Sequence, residues 1–169
     1  MKNLAIESFF SKKQFVIILF IAVAAIIRLM PHLPNVTPIT AMALFSGVYF
    51  TQNKYAFIIP LLAMFLSDLI LGFSLISIFV YLAFILVSYI GISSKKMNIR
   101  IILLSSISFF IITNFGVWLI GYPNTLNGLI ECYTLALPFF RNSLIGDFVF
   151  SGIMYYGFEF VYNKYIRTT

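Results

Sequence analysis

Four polar residues, Arg28, Asp68, Asn114 and Asp147, each stand inside a long apolar run of this 169-residue chain. A charge in hydrocarbon costs several kcal/mol unless it faces a cavity or a partner, so such residues mark a site by default. At 1.5 Å per helical residue, Arg28 lies roughly 5 Å and Asp68 roughly 6 Å from the end of its run, and Asn114 and Asp147 roughly 10 Å. The four come from different runs, yet these depths put them in one layer. Over that layer the first loop carries His32, Asn35 and Thr37, and the last carries Tyr122, Asn124, Glu131, Cys132 and Tyr133. The pattern predicts a pocket opening outward, with a few orienting polar groups between apolar walls. Its expected substrate-binding residues are Arg28, His32, Asn35, Thr37, Asp68, Tyr81, Asn114, Trp118, Arg141 and Asp147, with Phe45, Phe139 and Phe140 as aromatic walls.

Plainer roles compete at each position. Arg28 with Asp68, or Arg141 with Asp147, can be ion pairs that hold helix register. Ser143, Asp147, Ser151, Tyr155 and Glu159 recur every four residues, a stripe better suited to helix packing than to five ligands. Only its outer end, Ser143 and Asp147, falls near the pocket. Asn114 and Trp118 share a face at i and i+4, although Trp118 also suits the membrane interface. A neutral His32 imidazole can ligate a metal such as the cobalt of a corrinoid, or can simply bond to loop backbone. Cys132 is either a thiolate donor or a small buried hydrophobe. No Ser/His/Asp order, HExxH or glycine-rich phosphate loop is present. Binding is expected here, with no catalysis, resident metal or cofactor.

The elements that hold these residues follow from composition. The chain is 62% hydrophobic and 9% charged, against roughly a quarter charged in soluble domains. The predicted class is an all-α integral membrane protein in a single domain, 1–169. Apolar runs at 15–30, 38–51, 55–72, 75–92, 100–121 and 141–162 predict a six-transmembrane-helix bundle. Pro31 and Pro34 stop the first helix, and Pro38 opens the second. Ala43 and Gly47, four apart, let another helix come close. Residues 122–140, with Pro123, Pro138 and several polar side chains, read as a long outer loop holding a short helix. A single cysteine rules out an intramolecular disulfide.

The formal charge of +6 comes from 11 basic and 5 acidic residues. Nine of the eleven basic residues (Lys2, Lys12, Lys13, Lys54, Lys95, Lys96, Arg100, Lys164 and Arg167) fall at the end of the termini, leaving Arg28 and Arg141 toward the other. Basic residues concentrate on the cytoplasmic side, which predicts cytoplasmic termini in a cell inner membrane. The charge is then a topology signal, and nucleic acid is not expected as a partner.

Three passages resemble the substrate-binding membrane subunits, or S components, of energy-coupling factor vitamin transporters. PITAMALFSGVYFTQNKYAFIIPLLAMFLSDLILG (38–72) is similar to that family's Pro-started helix, turn and acidic-ended third helix. TNFGVW (113–118) resembles the end of its fifth helix, and LPFFRNSLIGD (137–147) the entry to its sixth. The run R-L-x-P-H-x-P-N-x-T-P-I (28–39) is closest to an uncharacterised S-component-like subgroup. The resemblance implies a six-helix bundle that takes up a vitamin or cofactor precursor, with a transmembrane coupling subunit and ATPases as partners. The family's Ala-x-x-x-Ala docking face is replaced by Ala22 and Ile26, and its sixth-helix lysine has no equivalent beside Gly146-Asp147. Those departures fit a solitary transporter equally well. Two other functions compete: a cell-envelope scaffold like the rod-complex membrane subunits, and a membrane enzyme acting on a lipid or bound cofactor.

Single cysteines at Ser94 and Asn124, placed in a chain lacking Cys132, test the orientation. Ser94→Cys should react with an impermeant thiol reagent only from the cytoplasm, and Asn124→Cys only from outside.

Overall fold

The computed structural model describes residues 11–31 and 33–167, so His32 and Lys2 lie outside the described residues. The elements are α1 (Lys12–Leu29), α2 (Ile39–Tyr49), α3 (Asn53–Leu71), α4 (Ser77–Ser94), α5 (Ile99–Gly121) and α6 (Leu126–Val161), followed by a π-helical turn, Tyr162–Ile166. The chain is an all-helical, multi-pass membrane protein: α3, α4, α5 and α6 are long and apolar enough to cross a bilayer. Helix α1 has the same 18 residues as α4 but carries Lys12, Lys13 and Arg28. The outward faces are covered by side chains such as Ile70, Leu75 and Ile99, each about two-thirds or more exposed. Apolar surface on that scale suits lipid, which takes apolar side chains but no open backbone.

Local chemistry sets the boundaries. Ser11 caps α1 by accepting from the Gln14 backbone N–H, while the Gln14 side chain accepts from the Ser11 N–H. That reciprocal box satisfies two of the orphan donors of a helix start. At the other end Pro31 forces Met30 into extended backbone, because a residue before proline is disfavoured in helix. Gly72, at φ 92°, ends α3. Asn98 caps α5 through the Ile101 N–H.

Helix α2 is the centre of the bundle. It spans 11 residues, and every residue from Thr40 to Gly47 is buried. The expected second span, 38–51, is therefore shorter than predicted. At 1.5 Å per residue α2 covers about 16 Å, half of the ~30 Å hydrocarbon thickness. It packs most extensively against α4, and the two backbones meet at Gly47 and Gly91. A β-carbon at Gly47 would collide with the Ser88 carbonyl oxygen and sit 2.9 Å from the Gly91 Cα. On its other flank α2 mends a defect in α3. Pro60, inside α3, has no N–H to offer the carbonyl four residues back, which belongs to Ala56. The Ser46 hydroxyl of α2 donates to that carbonyl at 2.8 Å. Phe45 packs in an aromatic cluster with Phe20, Tyr49 and Phe158.

The structure corrects the reading of 122–140. A short turn precedes α6, which begins at Leu126 and runs unbroken through Pro138 for 36 residues. Thr125 caps it, accepting from the Gly128 N–H at 3.1 Å. Asn127 and Glu131, which suggested a loop, are exposed, and so is Thr134. They lie at i, i+4 and i+7, one face of a helix. Pro138 is exposed too, where a lost backbone bond is cheapest. At about 54 Å, α6 is longer than any bilayer core requires.

Gly47→Ala should lower stability by about 1–3 kcal/mol or more, the usual cost of overpacking. Gly152, with open space where a β-carbon would go, is the control: Gly152→Ala should be neutral or stabilising by up to ~1 kcal/mol. Thermal unfolding in detergent reads both.

Candidate functional site

Two polar centres form where α1, α3, α4, α5 and α6 meet above α2. The first is a clamp around Arg28, on the last turn of α1. Its guanidinium donates to Asp68 Oδ1 at 2.5 Å and to the Ser67 hydroxyl, both on the last turns of α3. The Tyr81 hydroxyl of α4 donates to the other carboxylate oxygen, Oδ2, at 2.8 Å. Ser67 in turn donates to the Met64 carbonyl at 2.8 Å. The two charged side chains are only 12% and 5% exposed. Removing an ion pair from water is costly unless further hydrogen bonds saturate it, and Ser67 and Tyr81 supply them.

The second centre is a cavity of about 460 Å³, within the range of small-molecule sites. Arg28, Asn35 and Thr37 line it from α1 and the following segment; Ser106, Phe109, Phe110, Thr113, Asn114 and Val117 line it from α5. Helix α6 contributes Cys132, Leu135, Ala136, Phe139, Phe140, Ser143 and Asp147. Asp147 is 3% exposed, and the hydroxyls of Thr40 and Ser106 lie against its carboxyl. Ser106 spends its proton on the Ile102 carbonyl at 3.0 Å, so Thr40 is the hydroxyl able to donate. Thr40 stands in the first turn of α2, which places Asp147 beside a helix N-terminus, where a negative charge is favoured. α6 comes this close because it crosses residues 36–37 at Gly146, where a β-carbon would lie 3.2 Å from the Val36 Cα.

The residues expected at the site separate into groups. Arg28, Asn35, Thr37, Asn114 and Asp147 share the cavity wall, as do Phe139 and Phe140. Asp68 and Tyr81 stand behind Arg28 and hold it. Trp118 turns away: its indole donates to the Pro123 carbonyl at 3.1 Å, bracing the turn into α6. Arg141 is exposed and does not pair with Asp147. Six residues of α-helix rotate side chains by about 240°, so the two occupy different faces. Phe45 belongs to the aromatic core, away from the cavity. His32 lies outside the described residues. The Cys132 thiol is buried in the wall and donates to the Asn114 carbonyl at 3.6 Å.

The stripe on α6 also divides. Ser143 and Asp147 face the cavity, Ser151 and Tyr155 line a second cavity beside Asn98 and Arg100 at the opposite end, and Glu159 accepts from Tyr49 at 2.9 Å. Sequence reasoning found Asn114, Phe139, Phe140 and Asp147 but missed most of the α5 wall and part of the α6 wall. Ser106, Phe110, Thr113 and Val117 follow helical spacing along α5, a signal present in the sequence. Cys132, Ala136, Phe139, Ser143 and Asp147 do the same on α6, but half of that wall was taken for a loop.

Asp68→Asn would leave the Arg28 charge buried without its counter-ion, a loss of about 3–5 kcal/mol. Tyr81→Phe removes one hydrogen bond and should cost about 1 kcal/mol. Thermal unfolding of the two variants checks the ranking.

Over residues 9–168 the chain matches the model of a family of unknown function, DUF6580, and it belongs to that family. No curated protein and no solved structure matches it.

Proposed function

We propose that this family member is an uptake protein of the cytoplasmic membrane that captures a vitamin or small cofactor precursor in the cavity between α1, α5 and α6. The observation that carries the reading is the cavity itself: about 460 Å³, walled by phenylalanines and dressed with Arg28, Asn114 and Asp147. Preformed, mostly apolar pockets with a few convergent polar groups are the usual form of a small-molecule site. A scaffold protein has no use for such a void, since buried polar residues used as glue are packed against each other.

On this reading the chain crosses six times, and its second crossing is α2 together with residues 33–38 before it. The termini and the basic turns face the cytoplasm, and the cavity opens to the outside. The likeness of 38–72, 113–118 and 137–147 to S components supports capture for transport, either with a coupling subunit and ATPases or alone. Asp68 and Tyr81 serve binding indirectly, by holding Arg28 at the cavity edge. The chain is assigned no catalytic step of its own.

Native mass spectrometry of the full chain purified from membranes tests the reading. Wild-type protein should retain a small molecule, and Ala136→Trp, which fills the cavity, should release it while the unfolding temperature stays near wild type. An empty wild-type cavity, or retention unchanged by the tryptophan, would sink the reading.

A further inference from the structure

The cavity wall holds a buried carboxyl group that no cation of the described residues offsets. Arg28 is committed to Asp68 and Ser67, so that pair adds nothing net. Asp147 is 3% exposed and has no cationic partner among the described residues. Arg141, the basic residue closest to it along α6, is exposed and off the cavity. What faces Asp147 is neutral: Thr40 from α2 and Ser106 from α5, together with the partial positive end of α2, worth about half a charge.

Beside the donors of Arg28, Asn35, Thr37 and Tyr122, the wall also offers acceptors. The Asn114 amide spends one of its two N–H groups on the Phe110 carbonyl at 2.9 Å and keeps its oxygen as an acceptor. Asp147 is acceptor-only when ionised. Around these acceptors stand Phe110 and Phe140, whose ring centroids are 4.5 Å apart, with Phe109 and Phe139 nearby on the same wall. Aromatic faces attract cations, and more strongly once water is excluded.

Resting on the uptake reading above, we infer that the ligand of this cavity is an organic cation, a protonated amine or a positively charged nitrogen heterocycle, that donates to Asp147 between aromatic walls. Such a ligand brings a counter-charge and a donor to Asp147, the buried carboxyl that has no cationic partner among the described residues. A charge-assisted hydrogen bond is about twice as strong as a neutral one, so charge dominates recognition over shape. A carboxylate ligand would meet Asp147 as a like charge in a low-dielectric site.

Three isosteric probes test this on the full chain in nanodiscs at pH 7: tryptamine (cation), tryptophol (neutral) and indole-3-acetate (anion), with affinity read by calorimetry. Tryptamine should bind at least about tenfold tighter than tryptophol, with indole-3-acetate weakest. Asp147→Asn should erase that order, and Asp147→Glu should keep it. The wild-type comparison stands even if a variant fails to fold. Tryptophol or indole-3-acetate binding as tightly as tryptamine overturns the cation inference and leaves the cavity reading intact. If no probe binds, the molecule retained by the wild-type protein decides: a cation upholds the inference, and a neutral or anionic compound overturns it. Should nothing bind and nothing be retained, both readings fall.

Discussion

An eleven-residue helix enclosed within a membrane bundle cannot leave its ends to lipid. The first backbone N–H groups and last carbonyls of any helix lack partners inside it, and hydrocarbon offers none. Helix α2 is such a helix, and much of the architecture follows from accommodating it. Its flank is pressed to α4 at Gly47 and Gly91, where backbone meets backbone. Ser46 spends its hydroxyl on the carbonyl that Pro60 frees in α3. Its start opens into polar surroundings, with Thr37 and Ile39 on the cavity wall and Thr40 against Asp147. The cavity adjoins the start of α2, with Ile39 on its wall. The short central helix thus borders the cavity at its N-terminal end.

Two buried carboxylates in this structure have been given opposite settings. Asp68 is saturated, with Arg28 on one oxygen and Tyr81 on the other, and it ties α1, α3 and α4 together. Asp147 is as deeply buried, at the same 3% exposure, but has hydroxyl neighbours and a helix end in place of a cation. The first arrangement spends its interactions on holding helices in register. The second leaves interaction capacity on the cavity wall. Desolvation makes both expensive, and among the described residues only the first has a counter-ion.

Helix α6 links these parts. Over its 36 residues it supplies the cavity wall from Cys132 to Asp147, a side of the second cavity at Ser151 and Tyr155, and Phe158 and Glu159 to the aromatic core around Phe45 and Tyr49. One helix therefore borders both of these cavities and the aromatic core. Pro138 sits on its exposed side, so the wall facing the cavity keeps regular helical spacing.

Much was legible in the sequence because lipid imposes simple rules. Apolar runs placed five of the six helices to within three residues at each end, since hydrocarbon demands long helices and prolines, Gly72 and Gly121 stop them. Depth arithmetic brought Arg28, Asn114 and Asp147 to one layer, because rise per residue is a constant of the helix. The stretch 122–140 was misread because polarity and proline argue against a buried helix, whereas a helix with one exposed face accepts both. Tertiary structure alone decided azimuth. Which way Asp68 and Asp147 turn, why Arg141 cannot reach Asp147, and that Trp118 braces a turn all depend on rotation about the helix axis. That rotation is settled by packing, at contacts such as Gly47 on Gly91 and Gly146 on Val36, and no single helix carries it in its own sequence.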